Sequence, residues 1–393
     1  MRILTHFALA AIVSSGVLAQ AQNNPYGIFV QKALDADGVT EVVPTNAGKI
    51  LEANQLGASY LRLSSPIPTW PGSNSFLDSI DRAGLQAVWT VINRPKATGT
   101  STYPSTPEQM KAYTDALDRM LTDYHPALLM IENEPIADKF YAGTAEQYLD
   151  QLAHSIPVAH AHNTLITDGA ITNDPLGMLT WGYLYERSGL TTANDFGSKV
   201  LAPQVVEWMP YLYQDLHAAE GAPSSYPGGG DPPAFYQNLL QHWKDAVVLV
   251  NGYRSLDLDY VDFHWYAKAG VPANDNAEAL QTAMAYLSEA TCHPLVTTEF
   301  GEYSNDPDTV RALLSKIHSN HMDFMIWFDS DGDPAVGLHD GDKTASGGVG
   351  ALRPNGVEFA KFVASHVSAN PHDPGKAGDV HPTHSCSVAP IGN

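Results

Sequence analysis

Two acids stand where apolar strands should simply end. Leu128-Leu129-Met130-Ile131 runs straight into Glu132-Asn133-Glu134 and stops at Pro135. Pro294-Leu295-Val296-Thr297-Thr298 runs into Glu299, followed by Phe300, Gly301 and Glu302. Burial of apolar surface explains the runs but not the acids that close them. Two such endings on separate strands suit one shared reaction, with one carboxyl handling a proton and the other attacking carbon or activating water. Glycoside hydrolysis uses such a pair, with the carboxyls ~5 Å apart in retaining enzymes and ~6.5–9.5 Å apart in inverting ones. Spacing along a chain does not fix that distance.

The elements that must hold the pair follow a rhythm of short apolar strand and amphipathic helix, which argues for parallel strands with helical crossovers. Strands are expected at 26–29, 59–63, 87–92, 128–131, 165–167, 261–265, 295–298 and 324–328, the first having the weakest pattern. Helices are expected at 45–56, 76–83, 106–124, 145–160, 277–290, 308–318 and 356–368, with Thr106-Pro107-Glu108 as a capped start and Gly57 and Gly84 as stops. Eight strands alternating with helices give an α/β fold, a (β/α)8 barrel, whose active site lies where the strands end. The interval 173–259 breaks the rhythm. It reads as a long insertion between strands five and six, with helical pieces at 203–219 and 233–244, and belongs on the catalytic face with the other loops that follow strands.

Asn133-Glu134-Pro135 and Glu299-Phe300-Gly301 together resemble the two signatures of clan A glycoside hydrolases, and within that clan most resemble family 5, the cellulase-like enzymes. The resemblance runs as islands from Tyr60 to Phe328. It implies a retaining enzyme with Glu134 as acid/base and Glu299 as nucleophile. Asn133 would then bond the sugar 2-hydroxyl. Arg62, in Tyr60-Leu61-Arg62-Leu63, resembles the arginine that supports the nucleophile. His264 and Tyr266, in Asp262-Phe263-His264-Trp265-Tyr266, resemble a histidine near the acid/base and a tyrosine beside the nucleophile. Trp327 resembles a tryptophan forming the floor under the reacting sugar. Two departures stand out: Asn93 occupies the region where a histidine is usual, and Thr298 precedes the nucleophile where glycine is common.

Composition bounds the rest. The 393 residues carry 43 acids against 21 bases, a net charge of −22, so nucleic acid is a poor partner. No basic patch is visible along the chain, and a neutral oligo- or polysaccharide suits the charge. Residues 1–21 read as a signal peptide, with Arg2, an apolar core over 7–18 and the small-x-small site Ala19-Gln20-Ala21. The expected product is secreted, monomeric and without a membrane span once that segment is removed. The barrel is expected over 22–368, followed by a polar tail, 369–393. The only two cysteines, Cys292 and Cys386, could pair outside the cytoplasm. No metal or cofactor is expected. The acid-rich stretch from Asp329 departs from a calcium loop, and a metal site from His264, Glu299 and His339 lacks ligand spacing. A different class also remains open: a non-catalytic carbohydrate-binding barrel protein, which would bind glycan without cleaving it.

Overall fold

The computed structural model describes residues 24–29, 43–68, 70–94, 99–218, 226, 232–328, 336–340 and 346–366. The signal segment, the tail, the acidic stretch 329–335 and Cys386 lie outside the described residues. Eight strands, β1 (Tyr26–Phe29), β2 (Tyr60–Pro66), β3 (Gln86–Ile92), β4 (Leu128–Ile131), β5 (Ile166–Thr167), β6 (Val261–Ala267), β7 (Leu295–Glu302) and β8 (Met325–Phe328), pair in parallel in the order 5-4-3-2-1-8-7-6. Parallel bridges from Thr167 to Tyr260 and from Ile171 to Phe263 close β5 onto β6, making the sheet a (β/α)8 barrel. All eight expected strands are present. Even β1 has its place, because Gly27 lets Tyr60 and Ile326 close in where an added Cβ would meet them at 2.5–2.8 Å.

Some of the helices between strands start where a side chain provides for bare N–H groups. Thr106 and Gln109 form a capping box on α3 (Pro107–Asp123), and Thr144 and Gln147 form another on α4 (Ala145–Ala161). Each such cap is worth about 1 kcal/mol. The interval 173–259 divides into α5 (Asn173–Ser188), α6 (Leu190–Val200), α7 (Pro203–Leu216) and α8 (Ala234–Tyr253). Helix α8 packs between α4 and α9 (Ala273–Thr291), so it is the barrel's own outer helix after β5 and the true addition is α5 to α7. Helices α5 and α6 have no counterpart in the sequence pattern. The reason lies in α5, which buries eight consecutive residues, Pro175 to Gly182, and so shows no polar stripe. Gly189, at φ +82, then turns the chain into α6. Among the described residues no helix is long and apolar enough to cross a membrane.

The interior is layered by strand position. Tyr60, Val88, Leu128, Leu165, Tyr260, Val296, Phe324 and Ile326, at or near the strand starts, form an apolar plug. Farther along, the same inward faces turn polar. On β6 the alternation is regular, with Phe263 and Trp265 in the outer core while Asp262, His264 and Tyr266 reach inward to Thr298, Glu134 and Glu299. On β7 it is not. Val296 belongs to the plug and Thr298 also faces inward, yet Phe300 lies in the outer core. Register shifts between Thr297 and Phe300 against β8, and between Asp262 and His264 against β6, mark the irregularity. It brings two consecutive side chains, Thr298 and Glu299, to the interior.

Candidate active site

The sequence-selected groups meet where the strands end. Arg62 is fully buried, and its guanidinium is shared among four acceptors. Nε donates to Thr90 Oγ1 at 3.0 Å, Nη1 to the Thr298 carbonyl and to Glu299 Oε2, both at 3.0 Å, and Nη2 to Asn133 Oδ1 at 2.5 Å. Its flat face lies 4.4 Å from the Phe29 ring centroid. An arginine can only donate, so the contact orients the Asn133 amide, with Oδ1 toward Arg62 and Nδ2 left to donate elsewhere. The other Glu299 oxygen, Oε1, accepts from the Tyr266 hydroxyl at 2.5 Å. Burial and the neighbouring Glu299 charge push the Tyr266 phenol far above its ordinary value, so it stays a donor.

Glu134 approaches from β4. His264 Nδ1 lies 2.9 Å from Glu134 Oε1 and 3.9 Å from Glu299 Oε2. One ligand-type atom from each of Glu134, His264 and Glu299 falls within 4.8 Å of the others. Burial acts to raise the Glu134 carboxyl, but the His264 hydrogen bond and charge, with Lys139 and Arg62 behind, outweigh it and hold the group below its ordinary value. For His264 burial acts downward, and the Glu299 charge and the Glu134 hydrogen bond lift the ring above its ordinary value. Both directions favour a proton on His264 over one on Glu134, across a single hydrogen bond.

The backbone that carries Glu134 is unusual. Glu132 has φ +64 and Glu134 φ +47, in the left-handed region that disfavours side chains by roughly 1–2 kcal/mol per residue. The Glu132 amide donates to the Val91 carbonyl at 2.9 Å and the Glu134 amide to the Gly169 carbonyl at 2.6 Å. Tyr148 staples the two strand ends, donating to the Ile131 carbonyl at 2.9 Å and accepting from the Gly169 amide at 2.6 Å. Glu132 itself turns away from the pair. Its Oε1 accepts from the Asn93 amide and from Gln151 Nε2, both at 2.8 Å, and burial pushes the carboxyl up to about 7. Glu302 likewise organises a loop, accepting from the Ser304 amide and hydroxyl at 2.6 Å.

Two selected residues stand apart. Trp327 is fully buried on the outer side of β8, against Phe300 (5.0 Å) and Phe359 (5.9 Å), with Nε1 donating to the Val336 carbonyl at 3.2 Å. It is no floor for a sugar. Ile326 belongs to the inner plug, so alternation sends Trp327 outward and returns Phe328 inward, its ring 6.0 Å from Tyr266. Asn93 also leaves the cluster, because its Nδ2 is bound to the Thr102 carbonyl at 2.7 Å. The structure adds groups not singled out. A cleft of about 620 Å³ holds Glu134, His264, Tyr266 and Glu299, walled by Asn173 and Asp174 of α5 and by Tyr303. Asn173 clamps the Tyr266 backbone from both sides, donating to its carbonyl at 3.0 Å and accepting from its amide at 2.6 Å. Lys139, His242 and Lys268 also line the cleft, a gathering of basic groups that the sequence conceals because they come from three separate segments. Lys268 is partly spent, donating to the carbonyls of Ser198 and Leu201 at 2.8 and 2.5 Å.

Among the described residues, the one grouping of three possible metal ligands is Glu134, His264 and Glu299, and His339 is not part of it. Arg62 already sets a positive charge beside that group, its Nη1 3.0 Å from Glu299 Oε2. Cys292 is disulfide-bonded, and Cys386 is the chain's one other cysteine.

No protein-family model matches the chain, and no curated protein matches it. Solved structures do. A family 128 endo-β-1,3-glucanase from Amycolatopsis mediterranei, in complex with laminarihexaose, overlaps 86% of this chain and 99% of its own at 14% identity and a TM-score of 0.44. An endo-1,4-β-D-mannanase from Thermotoga petrophila overlaps 87% of this chain and 99% of its own at 11% identity and a TM-score of 0.49. Overlaps this loose say nothing of chemistry, which rests on this chain's own strands and side chains.

Proposed function

We propose that the chain is a retaining O-glycosyl hydrolase, cleaving β-glycosidic bonds in an oligo- or polysaccharide by double displacement. The observation that carries this reading is the pairing itself. Glu134 and Glu299 bring carboxylate oxygens within 4.8 Å, with Arg62 and Tyr266 on the second acid and His264 on the first. That approach favours the ~5 Å separation of retaining enzymes over the wider gap that admits water between the acids. Arg62 and Tyr266 hold both oxygens of Glu299 and aim the anion at the anomeric carbon. Glu134, protonated from His264, gives its proton to the leaving oxygen while a glycosyl ester forms on Glu299. Once the ester forms, the Glu299 charge is gone. Glu134 then takes a proton from water, which releases the sugar with its original configuration. Asn133 Nδ2 is the donor placed for a sugar hydroxyl beside the nucleophile. The form of residues 1–21 supports secretion, and N-terminal sequencing of the exported protein checks it.

The test uses activated aryl β-glycosides. Glu299→Ala should lose at least about 10³-fold in kcat and recover turnover with azide, giving the α-glycosyl azide. Glu134→Ala should be rescued with the β-azide. A Glu299→Ala variant that hydrolyses at the wild-type rate removes the assignment, and glycan binding without any turnover favours the binding-protein reading.

A further inference from the structure

Behind His264 stands a second acid that the double displacement does not use. Asp262 is fully buried two residues earlier on β6 and grips Thr298 twice, Oδ1 accepting from the Thr298 amide at 2.9 Å and Oδ2 from its hydroxyl at 2.5 Å. Thr298 Oγ1 lies 3.2 Å from His264 Nε2. The chain therefore runs from Asp262 through Thr298 to His264 and on to Glu134.

Hydrogen counting decides its direction. A hydroxyl has one hydrogen, and with Asp262 ionised the carboxylate oxygen at 2.5 Å is its strongest neighbour. The alternative acceptor, the Met130 sulfur at 3.4 Å, is weak. Thr298 Oγ1 thus faces His264 as an acceptor, and Nε2 must carry the hydrogen. Arg62 Nη1 lies 3.3 Å from Nε2, but its two hydrogens already have acceptors at 3.0 Å in the Thr298 carbonyl and Glu299. Nε2 is therefore not required to accept from it. With Nε2 protonated, Nδ1 is the atom that gains or loses a proton, and it is the one 2.9 Å from Glu134.

We propose that Asp262, acting through Thr298, locks His264 in the Nε2–H tautomer and so makes Nδ1 the resting seat of the proton that Glu134 delivers. Asp262 and Thr298 are positioning residues. The catalytic half of this statement rests on Glu134 being the acid/base, whereas the tautomer does not. The groups facing the ring are Arg62 from β2, Glu134 from β4, Asp262 within β6, and Thr298 and Glu299 from β7. Asp168, following β5, holds Asp262 in turn, its Oδ1 accepting from the Asp262 amide at 2.7 Å. The device fits the presence of threonine at 298, since a glycine there has no hydroxyl to relay.

The tautomer is read directly by NMR on protein with 15N-labelled histidine rings, the His264 signals being those absent from His264→Asn. Wild type and Thr298→Ser should show Nε2 protonated and Nδ1 titrating. In Asp262→Asn the introduced amide donates to Thr298 Oγ1, the hydroxyl turns toward Nε2, and the neutral ring switches to Nδ1–H. Thr298→Val should give a mixture of tautomers. A wild-type ring with Nδ1–H as its neutral form, or an Nε2–H form unchanged in both Asp262→Asn and Thr298→Val, overturns the proposal. Kinetics test the catalytic half with aryl β-glycosides. Thr298→Val should lose at least about tenfold more rate on a poor leaving group than on a dinitrophenolate, which needs no acid, and Thr298→Ser should restore it. Equal losses on both overturn that half. If the wild-type protein cleaves no glycoside, the hydrolase reading falls while the NMR result still decides the tautomer.

Discussion

Replacing Glu132 with glutamine should flatten the dependence of stability on pH. The carboxyl is fully buried behind β4, and burial pushes it from 4.5 up to about 7 despite hydrogen bonds from Asn93 and Gln151. A folded-state value above the unfolded one means that the folded chain holds the proton more tightly. The stabilisation is complete below the unfolded value and is lost as pH rises through about 7. The rise from 4.5 to about 7 corresponds to about 3 kcal/mol across that window. Glutamine is isosteric, keeps an oxygen for both donors and does not ionise. Urea unfolding followed by circular dichroism from about pH 5 to about pH 8 should show the variant gaining about 3 kcal/mol relative to wild type over that range. Asp168 and Asp262 are raised in the same direction by burial, the first also by its neighbour's charge, and add to the decline in both proteins, so the difference isolates Glu132. Parallel curves for the two proteins would refute the reasoning.

Arg62→Lys keeps the charge but not the fork that reaches Thr90, Thr298, Glu299 and Asn133 together, and kcat/KM should fall by roughly 10²-fold; a variant within a few-fold of wild type contradicts the geometry. Phe328→Ala should lower kcat/KM, whereas Trp327→Phe should lower unfolding stability by about 1–3 kcal/mol and leave KM unchanged. Steady-state kinetics and urea midpoints on the two variants separate inner from outer position, and a reversed pattern would place the rings wrongly. Gly169→Ala puts a Cβ 2.8 Å from the Ile131 carbonyl and 3.1 Å from Pro135, so both melting temperature and activity should drop, and a wild-type value of both would show that the strand ends have room to move.

The fold was legible because parallel strands buried on both sides read as apolar runs and the crossover helices carry caps and glycine stops. Glu134 and Glu299 were legible because each is an acid at the end of such a run, where packing gives no reason for it, and Arg62, Asn133, His264 and Tyr266 followed from what their segments resemble. What failed was parity. Nothing in Met325-Ile326-Trp327-Phe328 tells which alternate residues face the barrel axis, and an aromatic suits either side. Asn93 failed for a related reason, since strand-end position does not reveal that its amide closes the loop at Thr102. Helix α5 was hidden because its middle, Pro175 to Gly182, is buried on every side and shows no polar stripe. The cleft lysines were hidden because only the fold unites segments so far apart.

The irregularity in β7 sets two aims against each other. A regular strand would pair more completely with β6 and β8, and strict alternation kept from Val296 through Phe300 would give one. The residues beyond would then exchange sides, with Phe300 turned inward and the acid before it pressed among apolar helices. Selection for sturdiness alone would straighten this strand. Straightening it would separate the hydroxyl that lies against His264 from the carboxylate that Arg62 and Tyr266 hold, which consecutive positions now place side by side.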